Sequence, residues 1–220
     1  MEDPSQFNQA TYLLKFLNYK SGFFIEAGAN DGVSMSNTYL YEFFLNWKGL
    51  LVEPNKNRYI KCKENRPNSI VENVALVSSE YQKEFIRGSF EGDTNSMTAR
   101  VIDFRQEVFN KNYFKEILLH LRQRKIVKVK ASTLDNLLAK HNVKEIDLLY
   151  LDTEEYELPI LKGINLDNTR PKFIVVEIFP NEKSFNSIKE HLTENNYEFI
   201  ERIPNTDDYI FKDRNYKEQS

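Results

Sequence analysis

Short, continuous apolar segments recur along the chain, each ending in or near an acidic residue, and helical patterns separate them. They are Phe23–Ile25 before Glu26, Gly49–Glu53 (GLLVE), Ile146–Leu151 (IDLLYL) and Phe173–Ile178 (FIVVEI). Apolar runs of this length are typical of strands buried on both faces, which alternate with helices in parallel sheets. The pattern predicts a doubly wound α/β fold with helices on both faces. In such folds, ligands bind beyond the carboxyl ends of the strands.

Apolar residues at helical spacing predict an opening helix within residues 1–20 and an amphipathic helix from Leu40 through Phe43, Phe44 and Trp47. Ser36 or Asn37 is the expected N-cap of the second helix. Further helices are predicted at Lys56–Asn65, after Ser132 and Asp135 (which have capping-box spacing), within Asp152–Gly163 and at Glu182–Glu194. The remaining strands are predicted at Ser69–Val77, Tyr197–Arg202 and Tyr209–Lys212.

Residues 81–130 interrupt this alternation and are interpreted as an insertion that shapes an acceptor site. Glu84–Arg87 and Val127–Lys130 could pair as a hairpin, with a helix near Gln106–Arg122 between them. No linker or repeat divides the 220 residues, so we expect one domain over residues 1–220.

The bulk composition excludes several classes of partner. The net charge of −3 argues against attraction to nucleic acid or to an anionic membrane surface. No leader and no apolar run near 20 residues is found, and the single Cys62, predicted on an exposed helix, fits a reducing compartment. We therefore expect a soluble, cytoplasmic protein without a membrane span.

The loop after the first predicted strand has the pattern Glu26-x-Gly28-x-Asn30-x-Gly32. Glycine allows a ligand to approach the backbone closely, and asparagine tolerates positive φ. Glu53 ends the second predicted strand, where an acid usually accepts hydrogen bonds from a ribose. Together these features predict a site for a nucleoside with its ribose.

Glu26 and Asp31, beside this loop, indicate which nucleoside binds. Carboxylates there would repel the pyrophosphate of a dinucleotide, which needs a helix N-terminus free of negative charge. They would suit S-adenosylmethionine, whose ammonium and sulfonium groups are cationic. A methyl donor is the better ligand.

Four blocks of the sequence resemble the FkbM family of S-adenosylmethionine-dependent methyltransferases: residues 26–32 (EAGANDG), 47–54 (WKGLLVEP), 132–137 (STLDNL) and 152–163 (DTEEYELPILKG). The resemblance spans about residues 20–180. It implies a Rossmann-like class I methyltransferase fold, with a seven-stranded, mostly parallel sheet and an antiparallel terminal strand. It also implies methyl transfer to oxygen, usually a hydroxyl of a sugar, a glycolipid or a polyketide.

The resemblance also implies roles for individual residues. The residues expected to bind the cofactor are Glu26, Gly28, Ala29, Asn30, Asp31, Gly32, Asn37, Glu53, Pro54, Asn73, Ala75, Asp152 and Thr153. Among them Glu53 would bind the ribose, Asn73 and Ala75 would lie near the adenine, and Asp152, Thr153 and Glu154 would face the methyl group. The family commonly has DxEG at residues 152–155, whereas this chain has Glu155 in place of glycine. We expect Glu155 to lie in the first turn of the following helix, where the dipole favours an acid.

A hydroxyl is a poor nucleophile, so a positioned base is expected, with Asp152 as the first candidate, Glu154 the second and Glu177 the third. The histidines lack zinc-ligand spacing, whereas Asp135, Asp152, Glu154 and Glu177 could gather around Mg²⁺. The basic run from Arg122 to Lys130 could receive the phosphates of a nucleotide-linked acceptor.

Other functions remain open from the sequence. They are an NAD-dependent oxidoreductase on a Rossmann-like fold, a non-catalytic scaffold of the same fold, and methyl transfer to nitrogen.

Overall fold

The computed structural model describes residues 3–91, 101, 125–179 and 182–217. The helices in this part of the chain are α1 (Gln9–Leu17), α2 (Tyr39–Leu45), α3 (Lys56–Asn65), α4 (Leu134–His141), α5 (Glu157–Leu161) and α6 (Glu182–Glu194). The strands are β1 (Phe23–Ala27), β2 (Lys48–Val52), β3 (Ile70–Glu72), β4 (Ala75–Leu76), β5 (Phe85–Glu91), β6 (Lys125–Ser132), β7 (Leu148–Leu151), β8 (Phe173–Glu177), β9 (Tyr197–Arg202) and β10 (Asp208–Asp213).

The main sheet has seven strands in the order β3-β2-β1-β7-β8-β10-β9. The first five are parallel to their neighbours, and β10 is antiparallel to both β8 and β9. Two apolar clusters cover opposite faces, one with α1 and Trp47, the other with α4, α5 and α6. The mostly parallel seven-stranded α/β fold predicted from the sequence is confirmed. Its central strands are buried on both faces, which is why they read as continuous apolar runs.

A second, three-stranded sheet has the order β4-β6-β5. The predicted hairpin is present, because β5 and β6 pair antiparallel with Phe85 opposite Lys130. The helix predicted near Gln106–Arg122 lies outside the described residues. The single strand predicted at Ser69–Val77 is wrong, since the chain forms β3 in the main sheet and β4 in the small one. The Asn73 amide lies between them and donates to the carbonyl oxygens of Glu53 and Pro54, at 2.8 and 3.0 Å.

Several local predictions also need correction. The N-cap of α2 is Thr38 rather than Ser36 or Asn37, and the N-cap of α4 is Thr133, whose hydroxyl accepts from the Asn136 amide. In α2 the buried residues are Tyr41 and Glu42. The predicted apolar face is wrong there, because the side chains exposed on that helix are Phe43 and Phe44. Cys62 is fully buried instead of exposed.

Candidate functional site

A cavity of about 280 Å³ opens at the carboxyl ends of the parallel strands. One water needs only ~10–15 Å³ by the same kind of measure, so this space suits an organic ligand. The residues that line it are Gln6, Glu26, Ala27, Gly28, Ala29, Asn30, Ser34, Met35, Ser36, Val52, Glu53, Pro54, Arg58, Val74, Ala75, Leu76, Phe90, Val101, Asp152, Thr153, Glu154, Tyr156, Ile160, Glu177 and Phe179. Most of the candidate site residues are therefore brought together around one space.

The turn after β1 is packed tightly against the ends of both neighbouring strands, β2 and β7. The Gly28 and Ala29 amides both donate to the Val52 carbonyl oxygen, at 3.0 and 3.2 Å. Gly28 has φ +89°, and a Cβ atom there would overlap the carbonyl oxygen of Asp152. Asn30 also has positive φ, at 51°. The backbone itself therefore forms this wall, as the glycine pattern predicted.

Glu53, just beyond the end of β2, is 3% exposed and lines the cavity. Its Oε2 accepts from the Asn30 amide at 2.9 Å and its Oε1 from the Asn55 amide at 2.7 Å. Burial raises the pKa of Glu53 to about 7, against the opposing effect of these bonds. The carboxylate links the turn after β1 to the start of α3, and each oxygen keeps a further lone pair for a ligand.

Glu26 also lines the cavity, but most of its bonding capacity is used inside the protein. Its carboxylate accepts from the Asn37 amide at 2.8 Å, from the Ser36 hydroxyl at 3.0 Å and from the Thr38 hydroxyl. Burial raises its pKa, and the Arg66 guanidinium, 3.9 Å away, opposes that rise. This acid organises the loop before α2 as well as facing the cavity.

Four of the predicted cofactor residues do not line the cavity: Asp31, Gly32, Asn37 and Asn73. The Asp31 carboxylate turns back on its own loop and accepts from the Val33 and Ser34 amides at 3.0 and 2.7 Å. Asp31 therefore does not present its charge to the cavity, and of the two acids expected beside the cofactor loop only Glu26 does.

Asp152 and Glu177 form a carboxyl pair on the cavity wall. They follow directly on paired positions of β7 and β8, where Leu151 lies opposite Val176. Burial and the adjacent Glu177 carboxyl raise the pKa of Asp152 well above its usual range, and burial also raises the pKa of Glu177. Asp208 pairs with Glu177 across β10 and β8, and its carboxylate accepts from the Tyr150 hydroxyl at 2.8 Å. Two acids this close share a proton more readily than both ionise.

The turn after Asp152 is strained, and the expectation for Glu155 is wrong. Glu154 and Glu155 have φ values of 57° and 73°, and α5 begins only at Glu157. Glu155 therefore occupies the left-handed position that suits glycine, at a cost of order 1 kcal/mol. Glu157 stabilises the turn, because its Oε1 accepts from the Thr153 amide and hydroxyl at 3.0 Å and from the Glu155 amide at 3.2 Å.

Metal-binding predictions find no support in the described part of the chain, where no group of three or more His, Cys, Asp or Glu side chains could hold an ion. Asp135 does not join the acids of the cavity, since its carboxylate accepts from the Asn165 amide at 2.9 Å. The basic run is only partly described. Lys128 and Lys130 line a second pocket of about 300 Å³ together with Lys56, and Pro54 lines both this pocket and the main cavity.

Sequence reasoning missed several residues at or behind the cavity. Arg58, Met35, Phe90 and Phe179 line it, and Arg66 and Glu157 support its loops from behind. The sequence gives only a weak signal that the charged side chains of Arg66 and Glu157 are buried. Charged residues are rarely fully buried unless paired, and the partners of Arg66 lie 24 or more positions away.

A comparison with models of protein families shows which family the chain belongs to. A family model described as the methyltransferase FkbM domain matches residues 26–199. The chain belongs to the FkbM methyltransferase family. It is an S-adenosylmethionine-dependent methyltransferase, as the resemblance of the four blocks implied, and the family favours methyl transfer over hydride transfer. No curated protein gives a significant sequence match.

Solved structures similar to this FkbM methyltransferase include other methyltransferases. A methyltransferase from Pyrococcus furiosus is 16% identical, with a TM-score of 0.47 over 92% of this chain and 80% of its own. A precorrin-6y C5,15-methyltransferase from Geobacter metallireducens is 11% identical, with a TM-score of 0.45 over 92% and 86%. Fibrillarin from Aeropyrum pernix, solved with S-adenosyl-L-methionine, is 11% identical, with a TM-score of 0.46 over 94% and 73%. The match over residues 26–199 shows the family, and the strand order shows the fold.

None of the helices in the described ranges is both long and apolar enough to cross a membrane.

Proposed function

We propose that this FkbM methyltransferase transfers a methyl group to a hydroxyl oxygen of a sugar, a glycan or another natural product. The observation that carries the proposal is the carboxyl pair of Asp152 and Glu177, which lies on the cavity wall at neighbouring strand ends. A hydroxyl is a weak nucleophile that must lose its proton during the reaction. A buried carboxyl pair with raised pKa values is suited to accept that proton near neutral pH.

The residues of the cavity fit the chemical parts of S-adenosylmethionine. Val74, Ala75 and Leu76 form an apolar wall suited to adenine, Glu53 offers carboxylate oxygens to ribose hydroxyls, and Glu26 offers a carboxylate to the ammonium. The other residues that we assign to this subsite are Gly28, Ala29, Asn30, Pro54 and Thr153. When bound, the cofactor supplies an electrophilic methyl group on a sulfonium sulfur.

Within the pair, Glu177 is the stronger candidate for the ionised member. The hydrogen bond with Glu177 raises the pKa of Asp152, and the same bond opposes the burial-driven rise in the pKa of Glu177. We therefore assign the donor role to Asp152 and the acceptor role to Glu177. Glu177 would take the acceptor's proton, and Asp152 would orient it and stabilise its charge. Glu154 lines the same cavity, and we assign it to contact with the acceptor.

Arg58 is the one cationic side chain among the described residues that line the cavity, against five acids: Glu26, Glu53, Asp152, Glu154 and Glu177. At the acceptor end, where we place Glu154 and the proton-sharing pair of Asp152 and Glu177, negative charge remains, and this supports a neutral hydroxyl acceptor over a phosphate. An uncharged sugar or glycan therefore fits the described walls better than a nucleotide-linked one.

Calorimetric titration with S-adenosylmethionine and, separately, with NADH tests the cofactor, using the wild type and Glu53→Ala. We expect binding of the methyl donor that is lost in the variant. A screen of neutral glycans, nucleotide-linked sugars and amines would follow, with the mass of the methylated product as the readout. Transfer to a hydroxyl supports the proposal. Binding of NADH alone, or transfer only to amines, would overturn it.

A further inference from the structure

Arg66 follows α3, is fully buried and lies between two buried acids from different elements. Its Nε donates to Glu42 Oε2 in α2 at 2.6 Å, and its Nη1 lies 3.9 Å from Glu26 Oε2 in β1. Its remaining donors bind the loop between β1 and α2. Nη1 donates to the Gly32 carbonyl oxygen at 2.9 Å and to Ser36 Oγ at 3.0 Å, and Nη2 donates to Thr38 Oγ1 at 3.1 Å.

The two acids differ in what they face. Glu26 lines the cavity, whereas Glu42 and Arg66 do not. The single positive charge of Arg66 therefore interacts with two carboxylates, that of Glu26 at the cavity and that of Glu42 behind it. The loop that Arg66 fixes also contributes Ser34, Met35 and Ser36 to the cavity wall.

We propose that Arg66 is a positioning residue that maintains the negative charge of Glu26, and so sets how strongly the site binds the ammonium group of the cofactor. The proposal rests on the proposed binding of S-adenosylmethionine in this cavity. In water-excluded surroundings, a carboxylate keeps its charge only when a cation or hydrogen-bond donors compensate it. Glu26 has three donors besides Arg66, and all three are on the loop that Arg66 itself fixes.

Two titratable groups that interact with Glu26 do not change their charge near neutral pH. Cys62 of α3 and Tyr150 of β7 interact electrostatically with Glu26, and burial raises the pKa of Cys62 to about 12 and that of Tyr150 well above 10. Asp152 and Glu177 titrate in the same cavity. Their contribution is common to the variants compared below, so a difference between variants reports on Glu26.

Two ligands separate the charge of Glu26 from the rest of the site. S-Adenosylhomocysteine carries the ammonium group, and 5′-methylthioadenosine keeps the nucleoside but lacks the amino-acid moiety. The dissociation constants of both ligands are measured from about pH 5 to 8. Both ligands carry the ribose that contacts Glu53, so the effect of Glu53 ionisation on affinity cancels in the ratio of the two constants. In the wild type we expect the preference for S-adenosylhomocysteine to fall as Glu26 gains its proton.

Glu42→Gln is the informative variant, because glutamine Oε1 can accept both bonds that Glu42 Oε2 accepts, from Arg66 and from the Ser69 hydroxyl. With Glu42 neutral, the Arg66 charge is offset by Glu26 alone. We expect the midpoint, the pH at which the preference for S-adenosylhomocysteine is half lost, to fall by roughly half a unit. At the lowest pH values measured, S-adenosylhomocysteine should then bind about threefold more tightly than it binds the wild type. Glu72→Gln is the matched control, since it removes an acid bound to Lys140 and His141 outside the cavity.

Arg66→Gln should move the midpoint in the opposite direction, and Glu42→Gln tests the proposal even where Arg66→Gln does not fold. An equal midpoint in wild type, Glu42→Gln and Glu72→Gln, with both ligands bound, would overturn the role of Arg66 and leave the cofactor site intact. Failure of both ligands to bind the wild type would overturn the cofactor site and, with it, this inference.

Discussion

The α-carbon of Gly28 lies so close to the carbonyl oxygen of Asp152 that no side chain fits between them. The contact joins the turn after β1 to the end of β7, where the cofactor loop and the carboxyl pair meet. A Cβ atom would also be strained by the φ of +89° at this position. We therefore expect Gly28→Ala to weaken binding of 5′-methylthioadenosine at least tenfold, measured by calorimetry on folded protein.

Gly32→Ala is the control for backbone strain. Gly32 has φ +81° but does not line the cavity, and its Cβ would lie 2.7 Å from Arg66 Cγ. Both variants should lose about 1–3 kcal/mol in free energy of unfolding. Equal loss of nucleoside affinity in both would mean that strain in the loop, rather than the contact with Asp152, controls binding.

The carboxyl pair predicts a non-additive effect on catalysis. Glu177→Gln should lower kcat by roughly 10²- to 10⁴-fold because it removes the base, and Asp152→Asn by less, because the asparagine amide can still donate to Glu177 but no longer shares a proton with it. The double variant should lose little more than Glu177→Gln alone. Since the pKa values are raised and the ionised form accepts the proton, wild-type kcat should rise with pH and level off above them. Glu154→Gln is the comparison, with an expected change mainly in the KM of the acceptor. Strictly additive losses would argue for two independent carboxylates.

Glu155→Gly should stabilise the protein. Glycine removes the strain at φ 73° and keeps the amide that donates to Glu157 Oε1. We expect a gain of about 1 kcal/mol in free energy of unfolding by denaturant titration. Glu155→Ala removes the carboxylate but keeps the Cβ atom, so it should not show the gain. Equal stabilisation by both variants would assign the effect to charge.

Glu157 makes stability depend on pH. Burial raises its pKa to about 7 from 4.5, so between these values the folded protein binds more protons than the unfolded chain. The free energy of unfolding therefore falls as pH rises through this window, by an amount on the order of 3 kcal/mol.

Glu157→Gln should remove much of that slope, because all three bonds go to a single oxygen that glutamine retains. Thermal unfolding at about pH 5 and pH 8 measures the slope. Glu182→Gln, on the exposed side of α6, should leave it unchanged. Glu53, whose pKa is also raised to about 7, contributes to the slope in every variant. An undiminished slope in Glu157→Gln would exclude Glu157 as a source.

Glu53 should make nucleoside binding sensitive to acid. Because its pKa is raised to about 7, it gains a proton below that pH and then offers fewer acceptor sites to ribose hydroxyls. Affinity for 5′-methylthioadenosine should fall as pH drops below 7, by at most about tenfold per pH unit. The profile of Glu53→Gln should be flat and weaker throughout. A flat wild-type profile would exclude this carboxylate from the ribose subsite.

The sequence predicted the main sheet because a buried parallel strand needs apolar residues on both faces, and that requirement is local. It also predicted helices α3 and α6 at their observed bounds, α3 as a basic and polar segment after Pro54. It failed where a side chain serves a distant partner. Ser36, a predicted N-cap of α2, donates its hydroxyl to Glu26 in β1 instead, and Thr38, the N-cap, also donates to Glu26 and makes no side-chain cap hydrogen bond.

By itself the sequence determined the fold, the glycine turn and the acids at the strand ends, because these follow from chain periodicity and from the short spacing between a strand and its loop. Only the tertiary structure decided how each acid is used. The Asp31 carboxylate binds amides of its own loop, and Glu157 stabilises the strained turn. Glu26 and Glu42 both interact with the same guanidinium, that of Arg66. These outcomes depend on burial and on contacts between residues far apart in the chain, and such energies have no local signature in sequence.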